Sequence, residues 1–559
     1  MRRLIKVISA GIFLIQFLNA QESLKSTEEE YYNYLSLTGG TNRPSLNYRT
    51  LSDSVWQIND QDQNQNIWAH NNLGTKRTLW QSESKDTNWF TRGIEQSVKI
   101  KVYGPEWFNS YNAAEPYGQN DGGLWQGKGY NTSLTAGARL EAFGLELTFK
   151  PQLSWSQNKN YEYLSGTNGS PYSYFVGGID LVQRYGDSSF WNFDFGDTEV
   201  RYTWHKFTIG FGTQNPWLGP AGINPMLGSN NAEGYPKIDM GFRRTDVTLP
   251  YLNWYIGQVE SRLWTGCLRE SDYFDNNPDN DKRLLTALSF AYKPSFVPGA
   301  SIGINRLFIS RWKAKNLKYL GRLFTTQKLN DVEGDGEDQK VSINLDWLWD
   351  KVGFEVYGEL GIDDFTSQQM SNPFHTAIYT VGVNQSFELK FSRLNSKFKN
   401  VKTMLILEYN DFEMSQDFQL QWPYGGYYFH GKIHQGYTNN GQVLGAGSCY
   451  AGNAQFVGFK FFTKSGYLMP FFKRASPDNN YIYSMAVRAD ASDGSEISQK
   501  HWAMFKTHYS YGVELFTFLF NQLQLKASYE YDWITFPRYD DTKAGIANYY
   551  CSLMLKYNL

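Results

Sequence analysis

Histidine is the residue type whose spacing gives the first chemical signal in this chain. Of seven histidines, His430 and His434 form the close pair, four residues apart. That spacing places two metal ligands on one face of a helix, but Gly431 and Gly436 lie in the same run and disfavour a helix. The pair therefore predicts no metal site.

Acidic side chains are the second candidate for metal binding. Residues 272–281 and 330–338 are rich in the carboxylates that calcium prefers. Alternating acids from Asp331 onward resemble the start of an EF-hand loop, but the twelfth position is Ser342, where that loop requires glutamate. We expect solvated loops here, and no metal or other cofactor in the protein.

Two common catalytic motifs are absent from the sequence. It contains neither a P-loop nor an HExxH motif. Carboxylates such as Glu106, Asp121 and Glu260 are abundant, but a catalytic pair is defined by a distance that only a structure provides. Outer-membrane proteases and phospholipases have no short motif either, so that alternative stays open. We predict a protein that is not an enzyme.

Tryptophan near side-chain amides is the remaining pattern with a chemical meaning. The C–H face of a sugar stacks on an indole or phenol ring, and its hydroxyls match Asn, Asp and Gln side chains. These loops therefore predict a glycan site, with the alternative that the tryptophans only anchor the loops. The candidates are Trp125 with Asn120 and Asp121, Trp217 with Asn224, Asn230 and Asn231, and Trp422 with Tyr424.

Residues 195–244 indicate which elements position these side chains. Three runs alternate between apolar and polar residues, the period of a β-strand. His205 and Lys206 join the first two runs as a tight hairpin, whereas residues 214–237 separate the second from the third. The prolines of that long segment, together with Trp217, predict a fixed, self-packed loop.

Two stretches of unusual composition resemble the Wzi family of capsule-assembly outer-membrane β-barrels. They are NPWLGPAGINPMLGSNNA, residues 215–232, and YGPEWFNSYNAAEPYGQNDGGLWQGKGYN, residues 103–131. The resemblance extends from about residue 48 to the C-terminus. It implies an outer-membrane barrel that binds or organises surface polysaccharide without catalysis, and a helical element that closes the periplasmic mouth.

Composition favours a membrane barrel independently. Aromatic residues make up 17 % of the 559 residues, yet the mean hydropathy is −0.52. Outer-membrane barrels combine these properties because aromatic girdles lie at both membrane interfaces while alternate side chains face a polar lumen. The alternative is a large soluble sandwich or propeller rich in aromatic residues.

Charge and cysteine content exclude two classes of protein. The net charge is −2, from 53 basic and 55 acidic residues, so no strong field directs the chain to nucleic acid. Cys267, Cys449 and Cys551 are odd in number and far apart, which excludes a disulfide framework and a CxxC metal or redox site.

The N-terminal residues predict export. Residues 1–20 combine a basic start, an apolar run and a small-residue cleavage site, the pattern of a secretory signal peptide. A Ser26 start, three acids and a glycine stop then predict a short helix over residues 26–37. We interpret residues 21–92 as a periplasmic or plug-like segment, sparser in helix than the family pattern, and residues 93–559 as the barrel.

Strand connections from residue 93 onward predict the barrel's size. Eight short turns and nine long loops alternate, which gives an all-β antiparallel transmembrane barrel of about 18 strands. Short turns of such barrels face the periplasm and long loops face outward. The last strand carries a lipid-facing stripe from Ala547 to Leu559, as expected of a strand that closes the barrel.

Two functions fit such a barrel. The first, implied by the resemblance, is a non-enzymatic protein that binds or organises surface polysaccharide; the second is a diffusion porin or substrate-selective channel. A plugged lumen favours the first and an open lumen the second. The expected partners are surface polysaccharide, outer-membrane lipid and the barrel insertion machinery, with no nucleic acid, and the expected location is the Gram-negative-type outer membrane.

Overall fold

The protein forms one closed antiparallel β-barrel of eighteen strands, as the alternation of turns and loops predicts. The structure is a computed structural model. It describes residues 17–59, 66–71, 73, 76–82, 89–92, 94–325, 336–364, 372–390, 400–422, 425–484 and 504–558. Twenty-one hydrogen-bonded segments make up the main sheet. Two of the barrel strands are each divided into two segments, and Arg77–Gln81 is an additional segment at the edge, so the barrel has eighteen strands.

The barrel strands follow chain order around the sheet. They are β1 Ser97–Asn112, β2 Gly129–Ala142, β3 Leu145–Phe149 with Gln152–Ser156, β4 Phe190–Asp194 with Glu199–Trp204, β5 Phe207–Gly212, β6 Lys237–Leu249, β7 Trp254–Arg269, β8 Lys282–Pro294, β9 Ala300–Arg311, β10 Glu337–Trp349, β11 Phe354–Asp363, β12 Ala377–Lys390, β13 Asn400–Asp411, β14 Asn453–Thr463, β15 Gly466–Ser476, β16 Thr507–Phe520, β17 Leu523–Thr535 and β18 Gly545–Tyr557.

Closure joins the last strand to the first. β18 pairs with β1 in antiparallel register, from Tyr550 opposite Asn112 to Lys556 opposite Glu106. This pairing removes the open sheet edge, which lipid does not tolerate. Along β18, Tyr549 is exposed on the outer surface while Lys556 is buried inside, so the predicted lipid-facing stripe is confirmed as far as Tyr557. Its last residue, Leu559, lies outside the described residues.

The connections confirm the predicted alternation. The short turns lie at residues 143–144, 205–206, 250–253, 295–299, 350–353, 464–465 and 521–522. The predicted turn at Lys399 and Asn400 belongs to the connection between β12 and β13, of which residues 391–399 lie outside the described part. His205 and Lys206 both have positive φ, 47° and 72°, the geometry of a two-residue type I′ hairpin.

Helices and minor strands account for little of the chain. They are helices α1 Thr27–Leu37, α2 Trp89–Arg92, α3 Tyr319–Arg322 and α4 Gln416–Gln421, the 3₁₀ segments Ala69–Asn71 and Ala314–Lys318, and the paired short strands Phe17–Gln21 with Val55–Asn59, Tyr48–Arg49 with Trp217–Leu218, and Thr438–Asn439 with Gln442–Val443. Among the described residues, no helix has the length and apolar character needed to cross a membrane.

Helix α1 begins where the sequence predicts. The Ser26 side chain accepts a hydrogen bond from the Glu29 backbone N–H at 3.3 Å, and three glutamates occupy the first turn. A capping hydroxyl and acidic residues both stabilise a helix N-terminus. The prediction of a helix that starts at Ser26 and ends at Leu37 is therefore confirmed, with Ser26 as its N-cap.

The chain before the barrel lies in the lumen, at the end that carries the short turns. Its acids form ion pairs with inward-facing cations on distant strands: Glu30 with Lys460 of β14 at 2.8 Å, and Asp53 with Arg262 of β7 at 3.1 Å. Since these strands lie on different sides of the barrel, the segment spans the lumen. We call residues 21–59 the lumen segment.

One carboxylate of the lumen segment bridges the seam between the first and last strands. Glu22 lies 2.7 Å from Lys101 of β1 and 3.3 Å from Lys556 of β18. Lys556 also pairs with Glu28 of α1 at 2.9 Å. The lumen segment is thus tied to both strands that close the barrel.

Two N-terminal predictions remain predictions. Residues 1–16 of the expected signal peptide lie outside the described residues, whereas residues 17–20 belong to the short strand that pairs with Val55–Asn59. Cleavage after Ala20 stays a prediction. The proposed boundary between residues 21–92 and 93–559 is likewise untested.

The arrangement of turns and loops predicts an orientation that cysteine labelling measures. In a background with Cys267, Cys449 and Cys551 replaced by serine, Asp279→Cys in a long loop should react with a membrane-impermeant maleimide on intact cells. Lys464→Cys, in a short turn, should react only after the outer membrane is permeabilised, because short turns face the periplasm. Both positions are exposed, so accessibility within the fold is matched. Labelling of Lys464→Cys alone in intact cells would reverse the orientation.

Candidate functional site

The loop at residues 213–236 folds into the lumen and is fixed there by the barrel wall. Glu408 of β13 accepts hydrogen bonds from three successive backbone N–H groups, those of Gly222, Ile223 and Asn224, at 2.8, 3.0 and 2.7 Å. The Tyr357 hydroxyl donates to the same carboxylate at 2.8 Å. A charged acceptor with several donors forms strong bonds, so the predicted fixed loop has a defined anchor point.

Trp217 is enclosed inside this loop. Its side chain is 0 % exposed, and its indole N–H donates to the Ala221 carbonyl at 2.9 Å. The Lys25 ammonium and the Arg49 guanidinium each lie 5.6 Å from the ring centroid. Trp217–Leu218 also pairs with Tyr48–Arg49. In this arrangement Trp217 is packed between the loop and the lumen segment, and no face of the ring is open to a sugar.

Two of the candidate asparagines connect loops to one another. The Asn224 side chain donates to Asn410 at 2.9 Å and accepts from the Ser448 hydroxyl at 2.8 Å. The Asn231 side chain donates to the Val443 carbonyl at 3.0 Å. Their amides thus join residues 213–236 to β13 and to the loop at residues 412–452.

Five candidates meet around two adjoining cavities. A cavity of about 410 Å³, here called the surface-side cavity, lies among the long loops and is lined by Asp121, Trp125 and Asn231. A deeper cavity of about 400 Å³ is lined by Asn120, Asp121 and Asn230. Asp121 borders both. The structure therefore brings together residues from two separate tryptophan-and-amide loops.

Another candidate lies apart from both cavities. Trp422 is the C-cap residue of α4, 63 % exposed, and it lines neither cavity. Tyr424 lies outside the described residues.

Strand residues contribute to the surface-side cavity as well. The Lys473 ammonium of β15 lies 4.4 Å from the centroid of the Tyr117 ring, and the Tyr117 hydroxyl donates to Glu530 of β17 at 2.6 Å. All three side chains line the cavity. Sequence alone could have pointed to Tyr117, because it belongs to the unusual stretch at residues 103–131. Lys473 and Glu530 could not have been found in this way, because inward-facing charges are common on the strands of a barrel.

Asp121 is the titratable group that links the two cavities. Its carboxylate accepts a hydrogen bond from the Gln126 side chain at 2.7 Å. Burial nevertheless raises the pKa of Asp121 to about 7, since desolvation penalises the charged form more than that bond favours it. Near neutral pH this carboxyl exists in both forms, so it can donate to or accept from a sugar hydroxyl.

Three potential metal ligands approach one another at the long-loop end. Ligand atoms of Asp338, Asp364 and His430 lie within 4.8 Å of each other. His430 Nδ1 accepts the backbone N–H of Ile433 at 2.9 Å, so a neutral ring carries its proton on Nε2. In that form Nε2 donates a hydrogen bond rather than binding a metal. His434, which lies four residues after His430, is not in this group.

Comparison with known proteins places the fold. The sequence profile of a family described as capsule assembly protein Wzi matches residues 112–545. The structure is similar to Wzi of Escherichia coli, which is described as an outer membrane protein involved in group 1 capsule assembly and as a carbohydrate-binding β-barrel. The TM-score is 0.56 and the sequence identity is 9 %, and the match covers 97 % of this chain and 100 % of that chain. OprB of Pseudomonas putida gives a TM-score of 0.36, 11 % identity and coverage of 83 % and 94 %. No curated protein matches the chain.

The burial of Trp217 predicts a structural rather than a stacking role. Trp217→Ala should lower the unfolding temperature in detergent, because truncating a buried tryptophan costs about 3–5 kcal/mol. The matched control is Trp422→Ala, which removes an exposed ring and should change stability by less than about 0.5 kcal/mol. Unchanged stability of Trp217→Ala, together with lost glycan binding, would contradict the anchoring role.

The raised pKa of Asp121 predicts a pH-dependent stability difference. An unfolded aspartate titrates near pH 3.9, so the raised folded pKa favours the folded state at low pH, and this contribution is lost as pH rises through about 7. Asp121→Asn keeps an acceptor for Gln126 and removes the charge. The variant's unfolding temperature should therefore exceed that of the wild type by more at pH 8 than at pH 5. A difference independent of pH would refute the assignment.

Proposed function

The chain belongs to the capsule assembly protein Wzi family, and from that membership we propose that it binds surface polysaccharide without catalysis and so attaches or organises a capsule. The observation that carries the proposal is the surface-side cavity, where aromatic rings and hydrogen-bonding side chains from several long loops converge. The described carbohydrate binding of Escherichia coli Wzi, a protein of similar fold, supports the same ligand class.

The chemistry of the surface-side cavity suits a glycan. Tyr117 and Trp125 offer ring surface for the C–H faces of sugars, while Asp121, Lys473 and Glu530 offer donors and acceptors for hydroxyls. Trp125 is half-buried, with its ring centroid 5.1 Å from that of Tyr185. A ring supported by a second ring is held in one position, which lowers the entropy lost on binding.

Filling of the lumen favours binding over diffusion. The lumen segment and residues 213–236 both lie inside the barrel and pair through Tyr48–Arg49 and Trp217–Leu218. A diffusion porin requires a continuous aqueous channel, whereas an immobile binding surface benefits from a filled and rigid interior. This argument supports polysaccharide binding over the channel alternative.

We extend the proposal to the biogenesis of the protein. Residues 1–20 are removed on export, outer-membrane lipid and the barrel insertion machinery are partners, and residues 21–92 act as a plug for the barrel of residues 93–559. The ion pairs of Glu22 support this division, since they begin two residues after the proposed cleavage site.

The functional test compares two tryptophans. Trp125→Ala should weaken binding of the purified cell-surface polysaccharide about tenfold and lower its retention on cells, since loss of one ring in a stacking site costs roughly 1–3 kcal/mol for bases stacked on aromatics. Trp422→Ala, which lies outside the cavities, is the matched control and should bind as the wild type does.

Folding must be checked in the same experiment. Both variants should migrate as heat-modifiable barrels, so that lost binding is not lost assembly. Wild-type binding by Trp125→Ala and by Lys473→Gln would remove the surface-side cavity from the proposed function.

A further inference from the structure

A further cavity in the barrel lies at the end opposite the surface-side cavity. A cavity of about 740 Å³, here called the mouth cavity, is bordered by the short turn at residues 350–353 and by residues 41–49 of the lumen segment. Short turns of outer-membrane barrels face the periplasm. The mouth cavity therefore opens toward the periplasm.

Acids that line the mouth cavity are largely neutralised by neighbouring cations. Arg43 lies 3.0 Å from Asp346 and also pairs with Glu355. Three more ion pairs involve lining residues: Arg49 with Glu29 at 3.3 Å, Lys25 with Glu30 at 3.4 Å, and Lys460 with Glu30 at 2.8 Å.

Two further cations lie on the strands of the wall, and among the described residues neither has a carboxylate within ion-pair distance. Lys293 of β8 forms no hydrogen bond or ion pair with any residue in the described ranges. Arg244 of β6 donates to the Gln258 side chain at 2.7 Å and to the Arg43 carbonyl, both of which are neutral acceptors. Both side chains are half-buried. Carboxylates act on both cations from a distance, chiefly Asp346 on Lys293 and Glu260 on Arg244. Partly desolvated cations with no carboxylate in direct contact favour an anion in the space beside them.

Neutral polar groups accompany these cations. The side chains of Asn33, Asn42 and Ser45 line the mouth cavity and bond to no side chain or backbone group within the part of the chain that the structure describes. Amides and hydroxyls match the hydroxyls of a sugar. The cavity thus presents donors for an anionic group beside donors and acceptors for a polyol.

We propose that the mouth cavity is a second binding site, specific for an anionic saccharide. Lys293 and Arg244 bind the carboxylate or phosphate group, and Asn33 and Asn42 bind hydroxyls of the sugar. The site is on the periplasmic side, so it goes beyond the binding of polysaccharide at the cell surface. It gives the protein contact with an acidic glycan before that glycan reaches the outer face.

The probes are four small molecules titrated into the full-length purified protein in detergent. Glucuronate and glucose 6-phosphate carry the two anionic groups, while glucose and inorganic phosphate each lack one part of the ligand. Ligand-observed NMR at low salt gives the dissociation constants. At least one anionic sugar should bind ten times more tightly than both glucose and inorganic phosphate, and which one binds identifies a carboxylate or a phosphate ligand.

Variants place the binding in the mouth cavity. Lys293→Gln should weaken binding of the anionic sugar at least tenfold, and Lys293→Arg should restore it, because the charge is retained. The matched control is Lys206→Gln, which removes an exposed lysine from the short turn at residues 205–206, outside both cavities, and should leave the affinity unchanged. Heat-modifiable mobility of each variant establishes that the barrel has folded.

Three outcomes overturn the proposal. They are equal binding of inorganic phosphate and the anionic sugars, unchanged affinity in Lys293→Gln, and a loss in Lys206→Gln that matches or exceeds that in Lys293→Gln. None of these affects retention of polysaccharide on cells, which tests the surface-side cavity. The two proposals therefore fail separately.

Discussion

Two carboxylates on the barrel wall hold the two chain segments that fill the lumen. Glu260 of β7 accepts the backbone N–H groups of Leu46, Asn47 and Tyr48 at 2.8, 3.0 and 2.7 Å. Glu408 of β13 binds three N–H groups of residues 222–224 in the same way. Irregular backbone inside a barrel has few strand neighbours, so its donors require other acceptors. The wall supplies them, and both segments are fixed.

Ion pairs on one side of the lumen also hold the lumen segment in place. Inward-facing arginines and acids form an alternating series in which Asp53 of the lumen segment is the central acid. The order is Arg139, Glu146, Arg243, Asp53, Arg262, Asp239, Arg201 and Glu199. Removing one partner from a buried pair costs about 3–5 kcal/mol, because the other charge is left uncompensated. The lumen segment is therefore part of the barrel's electrostatic balance.

Local patterns predicted the barrel, because strands, turns and caps depend on neighbouring residues. The hairpin at His205 and the cap at Ser26 are examples, as is the grouping of Asp121 with Trp125, which lie in one loop. The burial of Trp217 could not be predicted from its neighbours in the sequence, because Lys25 and Arg49, which contact its ring, come from a distant part of the chain. The same limit applies to Lys473 and Glu530, whose place beside Tyr117 depends on strand register.

Glu22 links the first and last barrel strands through ion pairs, in addition to their backbone hydrogen bonds. Backbone hydrogen bonds between β1 and β18 need only those two strands, but the bridge from Lys101 through Glu22 to Lys556 needs the lumen segment as well. Without that carboxylate, Lys101 would lose its ion pair and Lys556 would keep only its pair with Glu28. The barrel is thus most stable when it closes around its own N-terminal chain, so occupancy of the interior and closure of the barrel stabilise each other.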